Sequence, residues 1–219
     1  EKAAINATWN SLPDYGSDEN AIAVVDTSGS MYSTGKPVAA CVAFSLGIYF
    51  AERNKGFFKN CFIEFSEKPR LIELKGETFA DKLRFIASFN EVANTNVEAV
   101  FNLILNAAVK NKLPQSELPA KIYLISDMEF DEAVDNAELT NFENAKRKFE
   151  KFGYTLPEIV FWNVASRNLQ QPVTQNDKGV VLVSGCTPKL FEMVAGGKTD
   201  PVSFMMDVIG SERYAKIAA

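Results

Sequence analysis

Asp26, Ser28 and Ser30 stand at alternate positions in the stretch "IAVVDTSGSMYSTGKPVAA" (22–40). Alternate residues of an extended turn point the same way, so one carboxylate and two hydroxyls can converge. Such oxygens suit a hard divalent ion: Mg²⁺, or Mn²⁺ or Ca²⁺. Two more oxygen donors stand at the edges of predicted elements, Thr95 in "NTNVEA" and Asp127 in "LISDMEFD". Each group has an ordinary alternative. A hydroxyl-rich turn can cap the helix after it. Thr95-Asn96-Val97-Glu98 reads as a capping box, and Asp127 as a turn residue ending a strand. All five oxygens falling by chance on one rim of a sheet is the poorer explanation.

Other chemistries fail on spacing. The loop ends in Gly35-Lys36, which invites a phosphate-binding reading. That motif needs four residues between its glycines and a Ser or Thr after the Lys. Here the glycines at 29 and 35 are separated by five residues, and Pro37 follows the Lys. An aspartyl-phosphate enzyme would use Asp26 as nucleophile, with a second Asp two residues on as acid. This chain has Ser28 there. In "DMEFDEAVDNAELTNFE" (127–143), Asp127, Glu129, Asp131, Asp135 and Glu138 match calcium-loop positions, but Glu132 stands where glycine is required. That segment holds seven acidic residues and no basic one, and reads as a solvated loop running into a helix. The chain has no His, which removes Ser-His-Asp and Cys-His catalysis and His-ligated zinc.

The elements that must position these groups alternate. Strand-length apolar runs are "AIAVVD" (21–26), "NCFIEFS" (60–66), "PRLIEL" (69–74), "KIYLISD" (121–127), "EIVFWNVA" (158–165) and "GVVLVSG" (179–185). Their continuity marks strands buried on both faces of a parallel sheet. A hairpin at Glu67-Lys68-Pro69 makes one edge strand antiparallel. Between the strands lie helical patterns. "KPVAACVAFSLGIYFAERN" is apolar nearly all round and reads as a buried central helix with Pro37 at its first position. "NVEAVFNLILNAAVKNK" places Val97, Val100, Phe101, Ile104, Leu105 and Ala108 on one face. Thr187-Pro188 and Asp200-Pro201 open two late helices. Gly29 is expected to permit the tight turn between the serines. The fold class is α/β: a doubly wound, mostly parallel central sheet with one antiparallel edge strand and helices on both faces. Ligands of such sheets bind off the carboxyl ends of the strands, where Asp26 and Asp127 fall.

With 219 residues, the chain suits one large α/β domain, residues 21–219, preceded by a polar linker or strap over 1–20. It begins at Glu1, as a piece cut from a longer protein would. A net charge of -5 disfavours non-specific nucleic-acid binding. The cluster Lys146-Arg147-Lys148 with Lys151 reads as a solvated helix face. Three widely spaced cysteines, two of them in apolar runs as buried thiols would be, point to a reducing compartment. No apolar run has membrane length, so a cytoplasmic location without membrane contact is expected.

The D-x-S-x-S loop, the second-loop Thr and the third-loop Asp together resemble the metal ion-dependent adhesion site of von Willebrand factor type A domains. The strand–helix order over 21–217 is similar to that family too. "TNVEAVFNLIL", "ISDMEFD" and "FWNV" resemble the carboxy-terminal A-type domain of intracellular proteins similar to the Ro ribonucleoprotein autoantigen. The resemblance implies a Rossmann-like fold, with Ser28, Ser30 and Thr95 as direct ligands and Asp26 and Asp127 acting mainly through water. It implies a non-enzymatic module whose ion bridges to a Glu or Asp carboxylate on a protein partner. No direct nucleic-acid contact is expected of this domain; RNA contacts would come from regions outside it. Two other readings stay open: a metal-dependent phosphatase or phosphotransferase using Asp26, and a metal-free scaffold.

Overall fold

A computed structural model describes residues 2–15, 20–89, 96–127, 137–165, 173–175, 180–197 and 200–214. Among the described residues, seven strands form one sheet: β1 (Ala21–Asp26), β2 (Cys61–Phe65), β3 (Arg70–Glu73), β4 (Lys121–Ser126), β5 (Glu158–Asn163), β6 (Val173–Gln175) and β7 (Val181–Ser184). Their order is β3-β2-β1-β4-β5-β7-β6. β1 pairs in parallel with β2 and β4, β4 with β5, and β5 with β7. The doubly wound α/β sheet expected from the apolar runs is the fold found. The hairpin partner β3 is antiparallel to β2, as expected. The three-residue β6 adds a second antiparallel edge strand that its polar sequence, "VTQ", does not announce.

The central strands β1, β2, β4 and β5 alternate between two cores because they are buried on both faces. Ala23, Val25, Phe62, Tyr123, Ile125, Val160 and Trp162 face one side. There they meet α2 (Ala39–Arg53), α3 (Phe79–Ala87) and α6 (Pro188–Ala195). Ile22, Val24, Ile63, Phe65, Ile122, Leu124 and Phe161 face the other, under α4 (Val97–Asn111) and α5 (Ala137–Lys151). The six residues that helical spacing puts on the inner face of α4 are all buried. α4 is capped by Asn96, whose Oδ1 accepts from the Ala99 amide at 2.9 Å; the capping box expected to open at Thr95 involves a residue outside the described ones. α6 and α7 (Pro201–Ile209) open as expected: Thr187 Oγ1 accepts from Leu190 N and Asp200 Oδ2 from Ser203 N.

α2 lies tight on β1. It buries ten of its fifteen residues. At Gly47 an added Cβ would stand 2.7 Å from Val25 Cγ2. The helix begins at Ala39, two residues past Pro37, so Pro37 belongs to the entry turn and not to the first helical position.

Residues 1–20, expected as a linker or strap, carry a helix, α1 (Lys2–Asn10), none of whose residues is buried. It is held by a few contacts. Trp9 stacks on Phe79 at 4.1 Å and donates from Nε1 to Glu52. Asn6 accepts from the Phe79 amide. Beyond it, the Tyr15 amide donates to Tyr49 Oη.

The three cysteines are free, but Cys41 is exposed, not buried. α2 is apolar nearly all round, and Cys41 falls on the narrow face it turns outward. Burial pushes the Cys61 and Cys186 thiols up. At neutral pH a maleimide should therefore label Cys41 first, read by peptide mass mapping; faster labelling of Cys61 or Cys186 would contradict this packing. Gly47→Ala should cost about 1–3 kcal/mol of unfolding free energy in urea titrations, because the helix must lift off Val25.

Candidate metal centre

The sheet reverses direction at β1: the chain first adds β2 on one side, then crosses to place β4 on the other. That switch point leaves a crevice at the carboxyl ends of β1 and β4. Asp26 ends β1, Ser126 ends β4, and Asp127 follows it. Val25 pairs with Ile125, so Asp26 and Ser126 come next in register and point to the same face.

Asp26 is 2% exposed and both of its oxygens are engaged. Oδ1 accepts from the Ser28 amide at 2.9 Å, and Oδ2 accepts from Ser126 Oγ at 2.6 Å. The first bond turns the chain sharply after the strand and throws Ser28 outward. A short 3-10 turn, Gly29–Tyr32, follows and anchors itself by burying Met31. It sets the Ser28 and Ser30 hydroxyls 3.1 Å apart. Ser30 Oγ in turn donates to Asp127 Oδ1 at 3.1 Å. Four of the five residues singled out from the sequence thus form one connected cluster. The fifth, Thr95, lies outside the described residues.

Two residues of the cluster escaped the sequence reading. Ser126 fixes Asp26, and its signal was its place just before Asp127 on a strand in register with β1. Thr34 Oγ1 stands 2.7 Å from Asp127 Oδ2 and 3.0 Å from the Ser30 carbonyl oxygen; its single hydrogen serves one at a time. Nothing in the local sequence points to Thr34. The tight turn is also not where it was expected. An added Cβ on Gly29 meets nothing within 4 Å, whereas Gly35 has φ +79° and its Cβ would stand 2.8 Å from the Pro37 carbonyl oxygen. Gly35 is the residue that must be glycine.

The cluster runs from a buried carboxylate to exposed hydroxyls. Among the described residues, no Lys or Arg is in ion-pair reach of Asp26 or Asp127. Nor is there any group of three or more Cys, Asp and Glu that could hold a metal ion. A cation here would rest on two carboxylates supplemented by hydroxyls. The donor set fits a hard ion. Octahedral ligands about 2.1 Å from Mg²⁺ stand about 3.0 Å apart along an edge. The successive gaps Ser28–Ser30 and Ser30–Asp127, both 3.1 Å, match such edges.

The fold has a counterpart among solved structures. The Ro (RSR) protein of Deinococcus radiodurans shares it with a TM-score of 0.55 at 13% identity, over 90% of this chain and 38% of that one. The conserved hypothetical protein BatB of Bacteroides thetaiotaomicron matches over 91% of this chain and all of its own, at 15% identity and a TM-score of 0.41, too slight to weigh. The chain belongs to the DUF7788 family, a domain of unknown function, matched over residues 20–207. The uncharacterized protein L728 of Acanthamoeba polyphaga mimivirus is 32% identical over 211 residues. The chain spans 36% of that relative's length. Among the described residues, no helix is long and apolar enough to cross a membrane.

Ser126→Ala should leave a buried oxygen of Asp26 without its donor. The expected cost is about 1–3 kcal/mol in chemical denaturation. An unchanged midpoint would mean that Asp26 finds another donor.

Proposed function

We propose that this chain is an interaction module that binds a divalent cation, Mg²⁺ foremost, at the crevice between β1 and β4. In this reading a protein partner supplies a Glu or Asp carboxylate to the ion. The observation that carries it is the chain of three oxygens, Ser28 Oγ, Ser30 Oγ and Asp127 Oδ1, at 3.1 Å spacing beside two carboxylates with no cationic side chain in ion-pair reach among the described residues. Bound there, the ion would supply a positive charge open to a further oxygen ligand.

The residues divide the work. Ser28 and Ser30 offer neutral oxygens at the surface. Asp127 lends charge, and Thr34 steers its second oxygen, Oδ2. Asp26 shapes the loop from below; with both oxygens occupied by Ser28 N and Ser126, it reaches an ion best through water. The same occupancy speaks against Asp26 as a phosphate-accepting nucleophile, which needs a free oxygen facing the substrate. Thr95 completes the ligand set in this reading. Neutral hydroxyls leave the charge of the ion under-compensated, which favours an acidic partner over a water. Three free cysteines suit a reducing compartment, and a cytoplasmic location belongs to this reading.

Millimolar Mg²⁺ should raise Tm by several degrees, as any ligand of the native state does. Ser30→Ala, at an exposed position, should remove most of that rise while leaving the metal-free Tm within about 2 °C. A Tm indifferent to Mg²⁺, Mn²⁺ and Ca²⁺ would sink the proposal and favour a metal-free scaffold. Hydrolysis of a generic phosphate ester that is lost in Asp26→Asn would favour the phosphatase reading.

A further inference from the structure

Among the described residues, three buried side chains at the ends of β1 and β2 each hold an oxygen without a hydrogen-bond partner: Thr27 Oγ1, Glu64 Oε1 and Ser66 Oγ. All are essentially sealed from solvent, at 0%, 0% and 1% exposure. Register brings them together. Val25 pairs with Glu64 and Asp26 with Phe65 at the last rungs of β1 and β2, and Thr27 and Ser66 are the residues that leave those two neighbouring strand ends. Glu64 lies two residues before Ser66 and therefore on the same face. Val25, on that face, belongs to the core under α2.

Glu64 is bound in an uneven way. Arg70, its cross-strand partner in the β2–β3 hairpin, reaches it through Nη2 at 2.6 Å and Nε at 2.8 Å. Both contacts fall on Oε2. A guanidinium facing a carboxylate commonly takes one oxygen with each nitrogen. Here both of these contacts share one oxygen, and the other, Oε1, is buried with no partner among the described residues. A buried carboxylate oxygen and two buried hydroxyls on one small patch of sheet would each lose a hydrogen bond on folding, a pattern native proteins avoid.

We infer that one internal water molecule sits among Thr27, Glu64 and Ser66 at the carboxyl ends of β1 and β2. The hydrogen-bond count selects water. It accepts from the two hydroxyls and donates to Glu64 Oε1, three bonds in all, the usual number for an internal water. A monovalent cation would find oxygen ligands but leave both hydroxyl hydrogens without acceptors. Charge argues the same way, since Arg70 already balances Glu64. The water links the hairpin to Thr27, the residue between the carboxylate and the first serine of the candidate metal loop. The inference stands whether or not that loop binds an ion.

Two measurements test it on the intact chain. In a crystal structure at about 1.5 Å, a single water peak should lie within hydrogen-bond reach of all three oxygens. Thr27→Val and Ser66→Ala should each lower Tm by about 3–8 °C, and the double variant by clearly less than the sum, because the hydroxyls share one partner. Strictly additive losses would overturn the shared water. So would a crystal structure in which the hydroxyls bond each other or the carboxylate directly. A Tm that changes when Na⁺ replaces K⁺ at constant ionic strength, together with a peak at cation-like distances, would replace the water with a cation and refute the assignment.

Discussion

A carboxylate buried between two parallel strands is the constraint on which the rest of the rim depends. Asp26 sits at the end of β1 with almost no exposure. In that position its charge must be met by donors at fixed places. One donor comes from its own loop, the Ser28 amide, and the other from the neighbouring strand, Ser126. The first dictates how the chain leaves β1. The second locks the ends of β1 and β4 together, although a hundred residues separate them in sequence. The positions of Ser28, Ser30 and Asp127 then follow from strand register and one tight turn. A crevice that supramolecular chemistry would assemble from separate arms is built here from two adjacent strand ends.

Most of the architecture was legible because burial leaves a strong signature. Continuous apolar runs gave the central strands, and the spacing of Val97, Val100, Phe101, Ile104, Leu105 and Ala108 gave the inner face of α4. Thr187-Pro188 and Asp200-Pro201 marked two helix starts through capping chemistry that is purely local. What escaped was weakly encoded. β6 is three residues long and gains its strand character from pairing with β7, not from composition. No residue of α1 is fully buried, and Trp9 alone of its residues packs against the core, so the helix shows little face to read. Pro37 and Cys41 were misplaced for one shared reason. A nearly all-apolar helix gives no phase, so neither its first turn nor its outward side can be fixed from pattern alone.

The site was legible to the extent that its groups lie at the ends of strands. Asp26 terminates β1 and Asp127 immediately follows the end of β4, where an α/β sheet presents its ligands. Ser28 and Ser30 follow from the alternation after Asp26. Thr34 could not be foreseen, because it reaches Asp127 only after a 3-10 turn and a glycine with positive φ fold the loop back. Ser126 carried a readable hint, overlooked because a serine in a buried strand looks like a packing choice. The fold shared with the Ro protein concerns 38% of that chain, so the comparison bears on one unit of a longer relative.

The sparse attachment of α1 has a consequence for how the molecule responds to stress. Its helix is joined to the body by one stacked indole and a few hydrogen bonds, while the sheet and its flanking helices share two extensive cores. Local opening of α1 therefore lies far below global unfolding on the free-energy scale. The chain has two cooperative tiers, and a single melting temperature reports only the upper one. Amide exchange along residues 2–10 would proceed on its own clock, set by Trp9 leaving Phe79 and Glu52, without disturbing the strands beneath.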